Sequence, residues 1–496
     1  MGSGGEGEET AVPLLEKKPP LLYSEGCPGC AIDRRKAEFK GIPYMFFFHI
    51  WSINLVSSLP ILTIYPFLYF MIKDLHIAKR VEDIGYFAGL VGASYMFGRT
   101  LTSVFWGVVA DRIGRKPVVV FGIASTIVFN TWFGLSTHYW IALSTRFLLG
   151  SLNGTLGPIK AYAIEVCRPE HQAIGLSLVG TSWAMGLVIG PAIGGYLAQP
   201  ADKYPILFPV NSFFGRYPYF LPTLCISVLC LVILVSCIWL PETLHMHTLV
   251  KQGDQENESF TEHSATDSVE FVEQQISSTT NKNIFKNWPL MSSIILYCIV
   301  CFEDMAYSEI FPLWAESDRS YGGLSMSSED VGQVLAITGA SILLYQTFIY
   351  PHKVKVLGPI NACRVMSFLS MMVLFTFPSM VHLSRSSLSI VLTIASALKA
   401  NAVITVVTSS FILHNNSVTQ DQRGTANGLA NTLMSFSKAL APAGAGVLFS
   451  WAQKRQHSFL FPGDQMVFFS LGIVVFIEFI WTFKPFLAVT GTLPSS

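Results

Sequence analysis

"WGVVADRIGRKP", residues 106–117, is a short polar break between two long apolar runs. Within it stand Gly107, then Asp111 and Arg112, then Gly114, Arg115 and Lys116. Each residue type has a physical task in a tight connection at a membrane surface. A small Gly107 lets two helices approach closely. Gly114 allows a turn that a side chain would strain. Asp111 suits the positive end of a helix, and the basic residues suit acids at other helix ends.

Outward from this break the chain is apolar nearly throughout. Of its 496 residues 51% are hydrophobic and 13% charged, against roughly 25% charged in a soluble domain. The formal net charge is zero, so no basic field points to nucleic acid. A membrane-spanning helix takes about 20 mostly apolar residues. About twelve such runs are expected, the first six near 43–70, 84–108, 118–136, 139–161, 173–197 and 217–240. The other six are expected near 289–314, 330–350, 360–382, 387–412, 424–450 and 464–487. Pro60 and Pro66 are expected to kink or break the first. Residues 241–288 are rich in Glu, Asp, Gln, Ser and Thr and are expected to link the halves flexibly. Residues 1–42 form a polar tail and 488–496 a second, shorter one. Six helices, a linker and six helices are the layout of a two-halved transporter. "GPAIGG" in run five and "APAGAG" in run eleven echo each other weakly.

Lys and Arg gather in the first tail, in the 106–117 break and at Lys353 and Lys355 after run eight. Under the positive-inside rule both termini and the linker face the cytosol. No H-E-x-x-H, G-x-S-x-G or P-loop pattern is present, so an enzyme is not expected and neither is a bound cofactor.

The 106–117 motif resembles the loop signature of the major facilitator superfamily, which implies an all-α membrane protein with twelve transmembrane helices in two six-helix halves. The resemblance also implies a conformational latch, in which Arg115 is expected to meet Glu165 and Asp111 the start of run eleven. The matching stretch of the second half, "YPHKVKVLGP", keeps Gly358 but has Lys355 where the acid would stand. Run five carries Gly186, Gly190, Pro191, Gly194 and Gly195. That spacing resembles the antiporter signature of proton-exchanging facilitators. Physically the glycines leave a flat packing face, and Pro191 frees a carbonyl and permits a bend.

Charges inside apolar runs are costly and are functional candidates by default. Arg99, Arg146, Glu303, Asp304, Glu309, Lys399 and Lys438 are of this kind. Desolvation and a neighbouring cation act on a buried carboxylate in opposite senses, which suits a group that takes up and releases protons. Asp304 is the first choice for that role and Glu309 the second. Arg146, Lys399 and Lys438 outnumber the acid placed deepest, so the expected solute is an organic anion or zwitterion.

Further motifs narrow the resemblance: "CPGC" at 27–30, "PETLH" at 241–245, "NWPLMSS" at 287–293, "DMAYSEIFPLWA" at 304–315 and "RGTANG" at 423–428. Together they resemble the plant zinc-induced facilitator-like family over nearly the whole chain. The resemblance implies proton-coupled transport in zinc and iron homeostasis, with nicotianamine or a related chelator as substrate. Auxin- or potassium-linked exchange is an alternative within the family, and a membrane zinc sensor or scaffold one outside it. The partners implied are protons, a small organic anion or zwitterion, the lipid bilayer and zinc as a candidate, with the chain acting as a monomer. Glu9 before Leu14-Leu15 and Glu16 before Leu21-Leu22 resemble acidic dileucine signals, so the vacuolar membrane is expected rather than the plasma membrane. Cys27 and Cys30, facing the cytosol, are not expected to form a stable disulfide. With His245 and His247 they could complete a four-ligand zinc site.

Overall fold

Pro60 has no amide hydrogen to give to the Val56 carbonyl, and helix α2 (Tyr44–Leu62) stops two residues beyond it in the computed structural model. The chain resumes as α3 (Leu68–Asp74), so the first run is two helices joined by a bend. Both proline-linked carbonyls find donors. The Cys230 thiol lies 3.9 Å from the Val56 oxygen, and Arg146 Nη1 donates to the Pro60 oxygen at 2.9 Å. The structure describes residues 26–487 apart from 40, 42, 169–170, 246–284, 419–422 and 456–462. The dileucine motifs, most of the linker, and His247 therefore lie outside the described residues.

A tail helix, α1 (Pro28–Glu38), precedes α2. The first half continues with α4 (Ile84–Ile113), α5 (Arg115–Gly134), α6 (Tyr139–Leu152), α7 (Leu156–Glu165) and α8 (Gln172–Leu197). Two short helices, α9 (Pro200–Lys203) and α10 (Phe213–Arg216), lead into α11 (Phe220–Ser236). The fourth run is interrupted at 153–155, which its apolar pattern did not signal. The Ser151 carbonyl exposed by the break accepts from Trp106 Nε1 at 2.7 Å and Thr102 Oγ1 at 2.8 Å.

The second half holds α12 (Trp288–Glu316), α13 (Ser328–Leu344), α14 (Tyr350–Leu374), α15 (Arg385–Asn416), α16 (Arg423–Gln453) and α17 (Gly463–Trp481). Gly114 (φ 117°, ψ 159°) and Gly358 (φ 74°, ψ 162°) reverse the chain at equivalent places in the two halves. Both conformations favour glycine. The stretch before Gly358 is helical, through a π turn at 345–349, so Lys353 and Lys355 sit on a helix and not in a loop. Among the described residues eight helical spans are long and apolar enough to cross a membrane by length and composition, and none forms a strand.

Three large apolar clusters define the shape. One joins the halves: Phe67, Leu68, Ile84 and Ala88 pack with Trp314, Val331 and Phe449. The other two, nearer the tail helix, each stay within one half, around Ile50 and Tyr162 in the first and Tyr297 and Val406 in the second. The halves thus share a core on the face away from the tail and have separate cores on the tail face.

Candidate functional site

Glycines on the inter-half helices show the same asymmetry atom by atom. A Cβ added at Gly89 of α4 would lie 2.7 Å from the Gly446 Cα of α16. One added at Gly195 of α8 would lie 2.8 Å from the Gly332 Cα of α13. Backbone contacts this close leave no room for a side chain. On the same helices toward the tail face, Gly107, Gly180 and Gly428 would meet nothing within 4 Å. The close approach expected at Gly107 is therefore not made in this conformation. Two lysines tie the halves together on the far face. Lys203 Nζ donates to Ser328 Oγ at 2.8 Å and to the Gly195 carbonyl, and Lys454 pairs with Asp83 at 2.6 Å. Burial lowers the Lys203 pKa from its ordinary value, opposed by Glu329, Glu316, Asp330 and Asp202. The space between the halves is closed on the far face and open toward the tail.

The glycines of run five split by face. Gly186, Gly190 and Gly194 rest on Ser58, Leu62 and Thr63 at the end of α2, while Gly195 and the Pro191 carbonyl meet Gly332 of the other half. A four-residue spacing puts the first three on one stripe, and the fourth glycine turns to the neighbouring stripe. One short segment thus packs both within its half and across to the other.

Within the second half, Lys399 is the centre of a buried charge cluster. Its Nζ lies 3.2 Å from Glu303 Oε2 and 3.7 Å from Asp304 Oδ1, and 3.9 Å from the centre of the Tyr307 ring. Glu303 and Lys399 are both 0% exposed, whereas the Asp304 side chain is 39% exposed. The deepest acid is thus Glu303, not its neighbour. Glu303 shares a helix face with the buried Leu296, Val300, Tyr307 and Ile310, and that heptad-like spacing is the signal that distinguishes it from Asp304. Glu478 of α17 is also buried, accepts from Ser367 Oγ at 2.5 Å, and interacts electrostatically with Glu303 and Lys399. From sequence, an isolated Glu in the second part of the last run reads as an interfacial residue, so its burial carries no local signal.

The other charges are distributed differently from expectation. Arg146 is 1% exposed and lies over the Tyr95 and Phe133 rings at 5.0 and 5.3 Å while it holds the Pro60 carbonyl. It secures the broken end of α2. Glu309 is buried against Gly92 of α4, and Arg146 is its electrostatic partner. Lys399 is occupied by its acids, so Arg146, Lys399 and Lys438 do not form one cationic wall. Lys438 is half-buried on α16. Arg99 and Lys160, on α4 and α7, are half-buried within each other's electrostatic reach. Charges on membrane helices are costly against lipid and as a rule turn to the bundle interior or a water-filled space.

The 106–117 connection is a network. Arg115 Nη2 and Nε reach Glu165 Oε1 at 3.0 and 3.2 Å, and Arg115 also pairs with Asp111. Asp111 thus pairs within its own connection, and the side chains at the start of α16, its expected partner, lie outside the described residues. Arg112 is exposed. Glu242, just past α11, accepts from the amides of Arg115 at 2.9 Å and Lys116 at 3.0 Å. A carboxylate on the first amides of α5 is a helix cap supplied from a distant segment. Thr243 Oγ1 donates to Glu165 Oε2 at 2.5 Å. Replacing a capping residue by Ala costs about 0.5–2 kcal/mol. Glu242→Ala should destabilise the detergent-solubilised protein by that order, read as a fall in its thermal unfolding midpoint larger than that of Glu38→Ala, which removes only an exposed pair with Arg34. On the same face Cys27, Cys30 and His245 come together, their ligand atoms all within 4.8 Å of one another.

A family model described as Major Facilitator Superfamily matches residues 50–442. Protein ZINC INDUCED FACILITATOR-LIKE 1 of Arabidopsis thaliana is 49% identical over 484 residues, covering 97% of this chain and 99% of that protein. A probable peptide/nitrate transporter of the same plant is 48% identical over 487 residues, with 97% and 99% covered. Among solved structures, a D-xylose–proton symporter superposes with a TM-score of 0.66 at 13% identity, covering 89% of this chain and 97% of the other. An inward-facing bacterial homologue of the lysosomal transporter Spinster gives 0.63 at 12% identity, with 89% and 97% covered. At such identities these two likenesses concern the fold alone.

Proposed function

Because the chain belongs to the zinc-induced facilitator-like family of the major facilitator superfamily, and so is an integral membrane transporter, we propose that it exchanges protons for a small organic zwitterion or anion. The substrate class is the metal-chelating amino acids to which nicotianamine belongs. The observation that carries this reading is the Lys399 pair of acids, one sealed in protein and one partly open. Glu303 faces the Lys399 ammonium from inside the protein. Asp304, at the open edge, can accept either a proton or a substrate ammonium, and not both at once. Competition for one carboxylate in a carrier that opens alternately to each side yields exchange. Substrate carboxylates then have Lys438, Arg99 and Lys160 to meet. Glu309 is the second candidate for the proton, through its link to Arg146.

In this reading the tail face is cytosolic, the chain works as a monomer, and the vacuolar membrane holds it. The far-face lysine clasps and the Gly195–Gly332 and Gly89–Gly446 contacts are the ones that must open when the carrier turns over. Reconstituted protein should accumulate nicotianamine under an imposed pH gradient, and a protonophore should abolish the accumulation. Movement of auxin or potassium in its place would reassign the substrate. Failure to move any organic anion or zwitterion under a gradient would favour a zinc sensor or scaffold.

A further inference from the structure

Cys27 and Cys30 flank the first turn of α1, which brings both sulfurs to one side of the helix. His245 arrives from the segment after α11, 218 residues further along the chain than Cys27. Its Nδ1 lies 3.9 Å from Cys27 Sγ and 3.8 Å from Cys30 Sγ. Tetrahedral zinc with Zn–S of about 2.3 Å and Zn–N of about 2.0–2.1 Å separates such atoms by roughly 3.5 Å. The other ring nitrogen, Nε2, lies 3.3 Å from Asp33 Oδ2. A carboxylate behind a histidine fixes the ring and its tautomer and is the usual outer support of a metal ligand. The backbone is built to the same plan. Gly29 N donates to the Leu244 carbonyl at 3.1 Å, and a Cβ on Gly29 would lie 2.7 Å from the His245 ring. A side chain at position 29 would push the imidazole away.

We propose that Cys27, Cys30 and His245 form a regulatory site for a thiophilic divalent cation of the zinc class, and that filling it clamps the tail helix onto the latch. Two thiol protons leave to solvent as the two Zn–S bonds form. Among the described residues three ligands come together, drawn from two segments far apart in the chain, which suits a metal whose arrival and departure join and release those segments. The route to the latch is short, two residues of chain followed by a hydrogen bond and an ion pair. His245 lies two residues after Thr243, which holds Glu165, and Glu165 holds Arg115. From the other side, Lys36 of α1 donates to the Glu165 carbonyl at 2.8 Å. Metal at the site therefore steadies both segments that grip Glu165. The site lies outside the transport cavity and does not depend on which solute is carried.

Cobalt(II) added to the purified full-length protein should produce a thiolate-to-metal charge-transfer band that saturates at one equivalent per chain, and zinc should remove it. Cys27→Ser combined with Cys30→Ser should abolish the band. Asp33→Asn should keep the band and weaken the metal about 10- to 100-fold. Zinc should slow amide exchange in 28–38 and 242–245 of the native chain. Gel filtration of each variant separates lost binding from lost fold, since Asp33→Asn leaves every proposed ligand in place. An undiminished band in the double serine variant would overturn the site. Metal binding that leaves exchange in both segments unchanged would overturn the clamp.

Discussion

Glu303→Gln should abolish gradient-driven exchange and also destabilise the protein. The side chain keeps its shape but loses the charge that lies 3.2 Å from Lys399 Nζ. Removing one partner of a buried ion pair costs about 3–5 kcal/mol, because the other charge is left uncompensated. Asp304 remains at 3.7 Å with a partly exposed side chain, so the lower end of that range is expected. The pair can be tested as a unit. Glu303→Gln combined with Lys399→Met removes both charges, and its thermal midpoint should return toward that of the native protein. Exchange should not return, because Asp304 has then lost the cation that holds it in place. Asp304→Asn should leave the midpoint nearly unchanged and uncouple uptake from the pH gradient. Full gradient-driven exchange in Glu303→Gln would refute the cluster's role. Retained coupling in Asp304→Asn would move the proton to Glu309.

The fold could be read from the 106–117 motif because its chemistry is local. A turn glycine, an acid and three cations within one connection need no partner to be recognised. Arg115 and Glu165 could also be matched, since both sit at ends of runs that the alternation of spans places on one face. What could not be read were choices made by packing. Glu303 and Asp304 are adjacent in sequence and differ only in which face of α12 they occupy, so their order of depth depends on α15. Arg146 was expected to serve substrate, but the break after Pro60 leaves a carbonyl that claims it. Glu242 caps a helix more than a hundred residues earlier, and no spacing rule links the two. The same holds for Asp33 and His245, where one nitrogen of a ring fixes the role of a carboxylate from another segment.

Gly195→Val should disfavour the conformation seen here. Its Cβ would lie 2.7 Å from the Ser328 carbonyl and 2.8 Å from the Gly332 Cα, and neither backbone atom can swing aside as a side chain can. Overpacking of this kind costs about 1–3 kcal/mol. The strain exists only while the far face is closed, so the equilibrium should shift toward far-face opening by about 5- to 150-fold. Ser103 lies one turn beyond Arg99 on the same face of α4 and so borders the tail-side opening. A cysteine there should react with a membrane-impermeant thiol reagent from the tail side, with the parent protein as blank, and Gly195→Val should slow that reaction in proportion to the loss of the tail-open population, with that factor as the upper bound. Gly332→Ala, across the contact, should act in the same direction with a smaller effect. Gly107→Val is the opposite case, since nothing lies within 4 Å of its Cβ in this conformation. It should leave the labelling rate undiminished, yet slow turnover if the tail face closes around Gly107 in the other state. Unchanged labelling in Gly195→Val would mean that this glycine contact is not what holds the far face shut, and the lysine clasps at Ser328 and Asp83 would then have to carry the closure.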